Sequence, residues 1–337
     1  MKVDGGIGGT TIAELAKQAR ELEGLGYDGI MTAETSHDPF LQLVIAAEHT
    51  ERVEIATGIA VAFARNPMNL ANLGHDLQTY SGGRAIVGLG SQIKPHIEKR
   101  FSMEWSHPAA RMRELILAMR AIWACWNEGV PLDFRGEFYR HTLMTPFFNP
   151  GPTGHGPPKV FLAAVGEHMT EVAGEVADGI LVHGFTTERY VREVTMPAVA
   201  RGLAKAGRSR ERFEVSGPLF VVTGGNDEEV ERAKAGTRQQ IAFYGSTPNY
   251  RPVLDLHGWG ELQPELNALS KQGKWVEMGD LIDDEMLSTF AVIAGPDDVA
   301  AELARRYGGL VDRCSFYAPY RSDPTQWRSV IADLKSR

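Results

Sequence analysis

Cysteine is almost missing from this 337-residue chain, which has only Cys125 and Cys314. They form no Cys-x-x-Cys pair and no metal-ligand spacing, so neither a disulfide framework nor a zinc knot organises the fold. Two buried thiols in a reducing cytoplasm are expected instead. No run approaches the ~18 continuous apolar residues of a membrane span. Met1 leads straight into "KVDGGIG", without the charged and apolar regions of a secretory signal, so a cytoplasmic protein is expected. Positive charge is in deficit, with 35 Lys and Arg against 43 Asp and Glu and a formal net charge of −8. That balance argues against nucleic acid and anionic membranes as partners.

Several catalytic signatures are missing as well. His-x-His, the mark of barrel metallohydrolases, occurs nowhere among the ten histidines, and no metal site is expected. Gly-x-Ser-x-Gly is absent, which removes the usual nucleophile elbow. The stretch "GLGSQI" supplies Gly88 and Gly90 of a dinucleotide fingerprint but puts Ile93 where its last glycine belongs. Of the inviting Schiff-base lysines, Lys94 and Lys159, the latter precedes its strand and so sits at the wrong end of a parallel sheet.

What the chain does have is a repeated grammar. "ARELEGLGYDGIMTAE", "MTEVAGEVADGILVHG" and "AAELARRYGGLVDRCSFYAP" each read amphipathic helix, small-residue break, apolar strand. In the first helix Ile12, Leu15, Ala19, Leu22 and Leu25 share a face, and Gly24 and Gly26 end it. The strands that follow are nearly apolar throughout, as strands covered on both faces are. "VDGGIG", "GIMTA", "VEIATGIAV", "RAIVGLG", "KVFLAAV", "GILVHG", "FEVSGPLFVVT" and "RCSFYAP" make eight. Helices with Asp38-Pro39, Asn66-Pro67 and Pro108 at their starts lie between them, and a last one opens at Pro324. Eight strand–helix steps predict an α/β protein, a (β/α)8 TIM barrel, as a single domain over 1–337. Insertions follow the fourth strand–helix step (about 127–158, a hairpin and a Pro/Gly-rich loop) and the seventh helix (about 245–290, a helical excursion).

Barrel chemistry sits at the C-terminal strand ends. This selects, among others, Asp4 to Gly9, Glu34 to His37, Gly58 to Phe63, Gly90 to His96, Ala163 to Glu167, His183 and Tyr317 to Tyr320. The fifth strand runs from Ala164-Val165-Gly166 directly into a helix, whose free N–H groups suit an anion. Glu167 repels a phosphate there unless it points away. The alternative is a tight turn that binds nothing.

"SGGRAIVGLG", "ARMRELILAMRAIW", "FRGEFYR" and "PPKVFLAAVGEHMTEVAGEVADGILVHG" resemble, in order and over nearly the whole chain, the bacterial luciferase-like superfamily. The branch most similar is that of oxidoreductases dependent on the deazaflavin coenzyme F420. The resemblance implies a barrel, commonly homodimeric, with the coenzyme ring at the strand mouth against a bulge after the third strand. That bulge often carries a non-proline cis peptide, here mapping to Gly58–Ile59. By position, Gly90, Ser91 and Gln92 line the polyol side and Ala164, Val165 and Gly166 hold the phosphate. The sugar-phosphate dehydrogenases of the family have Asp-His after the second strand and Glu after the fourth. Glu34-Thr35 and Gln92-Ile93 stand there instead, so their acid–base pair is not reproduced.

Each candidate has a functional and a structural reading. Glu34 either contacts the coenzyme or transfers a proton, or it caps a helix. His37 is an acid–base candidate, imidazole being the side chain that exchanges protons near neutrality, or a partner in the cap before "DPF". His183 is a third catalytic candidate or a satisfied rim residue. Lys94, His96 and Arg100 either meet the coenzyme's acidic tail or form a solvated face. Trp105 and Trp259 wall a pocket or simply pack, and Arg84 is read as structural. Three functions are in view. The first is hydride transfer between coenzyme F420 and a small organic substrate. The second is an FMN-dependent monooxygenase, and the third a flavin- or deazaflavin-binding protein without turnover.

Overall fold

Side-chain caps set where the helices begin. In the computed structural model, which describes residues 1–322 and 324–337, Thr11 and Glu14 close a reciprocal capping box at α1 (Ile12–Leu25). Asp38 Oδ1 accepts the Phe40 N–H at 2.9 Å to start α2 (Pro39–Glu48). Asn66 Oδ1 does the same for Asn69 at α3 (Pro67–Tyr80), also at 2.9 Å. Gly26 ends α1 with φ +96°, a conformation that glycine adopts without steric cost. Two expectations for α1 need correction. Gly24 lies within the helix rather than ending it, and Ile12, in the first turn, is 70% exposed. Leu15, Ala16 and Ala19 carry the buried face.

The chain forms two compact units. The larger, 5–181 with 198–214, contains β2 (Gly29–Thr32), β3 (Glu54–Thr57), β4 (Ala85–Gly90), β5 (Lys159–Ala164) and most of β6 (Gly179–Val182), adjacent in that order. β2 to β5 pair in parallel, residue for residue from Gly29↔Glu54 to Leu89↔Leu162. All six residues of β4 are buried, as its unbroken apolar sequence demands. Helices α4 (Pro108–Glu128), α5 (Glu167–Val176) and α6 (Met196–Lys205) pack outside with α1 to α3. α5 meets α6 at two glycines: a Cβ on Gly174 would lie 2.4 Å from the Val199 carbonyl, and one on Gly202 2.0 Å from that of Glu171.

The N-terminal strand ends are locked by cations, as read for Arg84, whose guanidinium donates to the Ser81, Val53, Ala47 and Thr50 carbonyls. Lys159 bridges Glu54 (3.0 Å) and Glu214 (2.6 Å). Burial, the largest influence on Lys159, favours the neutral amine, but the two carboxylates outweigh it and raise its pKa. The insertion at 127–158 contains the expected hairpin, Phe134–Arg135 against Arg140–His141. Its turn is gripped by the Glu114 carboxylate, which accepts three successive N–H groups at 2.6–2.9 Å.

The smaller unit comprises 1–4, 182–197 and 215–337. Here β7 (Glu214–Val222) pairs in parallel with β8 (Arg313–Tyr317), which pairs with the start of β1 (Lys2–Gly6). A short strand the sequence did not announce, Ala291–Ile293, covers the other edge of β7. Between α7 (Asp227–Gly245) and that strand lies the helical excursion, whose Val253, Leu254, Leu266, Met278 and Leu287 share one core with Phe220. α8 (Val299–Tyr307) and α9 (Trp327–Ser336) complete it. Asp4, read as a mouth residue, is buried in a bidentate pair with Arg313 at 2.7 and 2.8 Å. Cys125 and Cys314 are buried and unbridged. No helix among the described residues is long and apolar enough to cross a membrane.

Candidate functional site

The third strand is not continuous. β3 stops at Thr57, the Gly58–Ile59 peptide is cis, and a short strand, Ala60–Val61, resumes pairing beside Leu89 and Gly90. Neighbours hold this bulge on three sides. Gly58 donates to the Thr32 carbonyl (2.8 Å), and the Glu34 N–H donates to the Ile59 carbonyl (3.0 Å). A Cβ on Gly90 would fall 2.9 Å from two carbons of Ile59, so the absence of a side chain at Gly90 makes room for the bulge.

Glu34 corrects the sequence reading. Its carboxylate is 8% exposed, accepts the Val61 N–H at 2.7 Å and is paired with Arg65 at 2.5 Å. Arg65 also holds Asp38 at 2.7 Å. Burial by itself would lower the Arg65 pKa, but the two carboxylates prevail and raise it. Glu34 is thus a tether for the bulge, and neither a free acid nor a helix cap. Arg65 was missed. Its signal was a lone cation closing the apolar run "GIAVAFA", where only a partnered charge could sit. His37 stands exposed in the loop between β2 and α2 with no hydrogen-bond partner among the described residues, because Asp38 makes the cap by itself.

Beyond β4, Ser91 Oγ donates to the Gln92 carbonyl, and Gln92 sits at φ +62° with its Oε1 accepting the Ile93 N–H. The Gln92 side chain is therefore folded onto its own backbone. Of the basic trio, Arg100 is tied to the Thr35 carbonyl and lies over Phe101, Lys94 pairs with Glu98 at 3.7 Å, and His96 is exposed. Trp105 packs edge-on to Phe63 at 5.6 Å, and Trp259 stacks on His257 at 4.9 Å, so both have a packing role.

At the end of β5, Ala164 is buried, Val165 half-buried and Gly166 exposed. Gly166 is the residue before α5, no side chain caps that helix, and a Cβ on Gly166 would meet nothing within 4 Å. The first-turn N–H groups are therefore open to a ligand. Glu167 turns away to pair with Arg201 on α6 at 2.8 Å, which removes the repulsion its charge threatened.

His183, at the end of β6, lies in the smaller unit among aromatic rings. It is stacked on Tyr250 (centroids 4.4 Å, 28°) and meets Tyr244 edge-on at 4.6 Å. Its Nδ1 accepts the Phe185 N–H at 3.0 Å. Burial pushes its pKa down to about 4, so the ring is neutral near pH 7 and is not poised to exchange protons there.

Comparison with known proteins bears on the family and the fold. An uncharacterized protein of Mycobacterium tuberculosis is 59% identical over 313 residues, 93% of this chain and 92% of that one. A 5,10-methylenetetrahydromethanopterin reductase of Archaeoglobus fulgidus is 28% identical over 286 residues, 83% of this chain and 81% of the relative. The solved coenzyme F420-dependent tetrahydromethanopterin reductase of Methanopyrus kandleri superposes with a TM-score of 0.80 at 20% identity, covering 98% of this chain and 96% of that one. That likeness shows the fold, a (β/α)8 barrel. The family model of the luciferase-like monooxygenases matches residues 1–313, and the chain belongs to that family.

Proposed function

We propose that the protein is an oxidoreductase that transfers a hydride between coenzyme F420 and a small organic molecule. The observation that carries this reading is the open start of α5. Gly166 leaves it accessible, no side chain caps it, and Arg201 draws off the one nearby carboxylate, Glu167. A phosphodiester fits such a helix start, and a relative named as a putative coenzyme F420-dependent oxidoreductase of Mycobacterium tuberculosis, 27% identical over 313 residues, supports a deazaflavin as its bearer. Ala164, Val165 and Gly166 then hold the phosphate, and Gly90, Ser91 and Gln92 lie along the polyol. The Gly58–Ile59 bulge backs the ring. When bound, the deazaflavin supplies a two-electron hydride carrier.

The chain's own work in this reading is positional. Glu34 and Arg65 fix the bulge, and Gly90 clears it. His37, exposed and unpartnered among the described residues, is the residue we assign to proton exchange with solvent or substrate. The compartment proposed is the cytoplasm, with neither nucleic acid nor a membrane as partner. A homodimer is proposed through α2, whose Leu41 (70%) and Val44 (41%) face solvent.

Anaerobic incubation with reduced coenzyme F420 and a panel of carbonyl compounds tests the activity. Oxidation of the deazaflavin that depends on both protein and substrate is expected. O₂ consumption with reduced FMN instead would move the protein to the monooxygenases. Binding of either coenzyme without turnover across the panel would make it a carrier.

A further inference from the structure

His183 has a defined tautomer. A backbone N–H can only donate, so Nδ1, which receives the one from Phe185, must carry a lone pair. In the neutral ring the proton is therefore on Nε2. That atom has no partner among the described residues, and it is not among their sealed polar atoms. An N–H donor held at fixed orientation and reached by solvent is a recognition group lacking its ligand.

Its surroundings restrict what that ligand is. The titratable groups that face the ring are the phenols of Tyr244, from α7, and Tyr250, from the segment after α7. Burial holds the Tyr250 phenol up at about 12. Tyr244 spends its hydroxyl on Tyr317 at 2.6 Å, and burial, followed by that hydrogen bond, raises the Tyr317 pKa. Tyr317 in turn stacks on Phe220 at 4.7 Å. Gly184 leaves space for this ring: a Cβ there would be 3.1 Å from it. No charged side chain among the described residues is hydrogen-bonded or ion-paired to His183, and burial is the only influence on its pKa, with no contribution from a neighbouring charge. An anionic group would find no countercharge here, whereas a flat ring would find π surfaces and one directed donor.

We infer that the His183 Nε2–H, framed by Tyr244 and Tyr250, anchors an acceptor oxygen on a flat, uncharged organic substrate. This names the substrate class of the proposed oxidoreductase and rests on that reading. His183 binds and orients; it does not give up its proton. A phosphorylated or carboxylated substrate is disfavoured by the same geometry.

The test uses the coenzyme-free wild-type protein and three probes that differ by one feature each: 1-tetralone (uncharged aryl ketone), tetralin (the same rings without oxygen) and 1-naphthoate (anionic). Binding is followed by fluorescence quenching, and the imidazole nitrogens by two-bond ¹H–¹⁵N correlation of ¹⁵N-histidine-labelled protein. Expected is an Nε2–H tautomer unchanged between pH 5.5 and 8. Saturating 1-tetralone should shift Nε2, and tetralin and 1-naphthoate should bind at least tenfold more weakly. In His183→Ala the tetralone–tetralin difference should vanish, and His183→Gln, which keeps a neutral N–H donor, should restore part of it. Tyr244→Phe, which keeps the ring, should leave the Nε2 shift in place should the alanine variant not fold. An Nδ1–H tautomer, or equal affinity for the ketone and the hydrocarbon, would overturn the inference, as would preferred binding of the naphthoate. None of these readouts requires coenzyme. A protein that passes them but ignores coenzyme F420 refutes the hydride-transfer reading and leaves the anchoring group standing.

Discussion

Replacing Glu34 by alanine should destabilise the protein by about 3 kcal/mol, and the structure shows where that figure comes from. Val61 is fully buried, so its N–H, now bonded to Glu34 at 2.7 Å, would be orphaned at a cost of about 1–3 kcal/mol. Arg65, 14% exposed, would lose one of two carboxylates. Stripping a buried cation of its only partner costs about 3–5 kcal/mol, but Asp38 remains 2.7 Å away and offsets much of that. Glu34→Gln keeps an acceptor for Val61 and gives up only the charge, so about 1 kcal/mol is expected. Asp38→Ala removes a carboxylate that is 40% exposed, which costs little through that pair, but it also removes the cap of α2, worth about 1 kcal/mol. The assay is thermal unfolding of the three variants in parallel, together with coenzyme titration of each. The largest loss is expected in Glu34→Ala, with smaller and similar losses in Glu34→Gln and Asp38→Ala, and coenzyme affinity falls furthest in Glu34→Ala. A Glu34→Ala protein as stable as wild type but unable to turn over would refute the tether and make Glu34 a chemical group.

Three further outcomes follow from packing and charge. Gly202→Ala places a Cβ 2.0 Å from the Glu171 carbonyl, so α5 and α6 must separate, and a loss of about 3 kcal/mol is expected in denaturant unfolding; a neutral substitution would contradict the close crossing. His183 has its folded pKa depressed from 6.5 to about 4, so its contribution is intact above pH 6.5 and lost as pH falls toward 4. The slope of stability against pH in that window, up to about 3 kcal/mol in total, should flatten in His183→Gln; an unchanged slope would show that other groups carry it. A Leu41→Glu, Val44→Glu variant should run as a monomer in light scattering where wild type is a dimer, and a monomeric wild type would remove the proposed interface.

The alternation of capped helices and apolar strands made the barrel legible, because a strand covered on both faces has no option but continuous hydrophobicity. The same logic hid the bulge. After Glu54, "VEIATGIAV" is nearly apolar, and nothing in its composition separates β3 from Ala60–Val61; the break lies in the backbone, and only the family resemblance pointed to it. Glu34 and Arg65 lie 31 residues apart, so their pairing was invisible to local spacing. Glu167 looked hostile to an anion because its partner Arg201 stands 34 residues further on. His183 was found by its place at a strand end, but its neutral state comes from burial, beside rings from α7 (Tyr244) and from the insertion (Tyr250) that no local spacing links to it.

The central claim is that the start of α5 holds a deazaflavin phosphate. Gly166 allows a sharp test: its φ is −82° and a Cβ there would meet no atom within 4 Å, so Gly166→Leu should fold normally. Purified wild type and Gly166→Leu would be titrated side by side with coenzyme F420 and with FMN, following tryptophan quenching and ring absorbance. The account predicts micromolar affinity of wild type for coenzyme F420, preference over FMN, and loss of that affinity in a folded Gly166→Leu. Equal affinity in the variant, or binding of neither coenzyme by wild type, would contradict it.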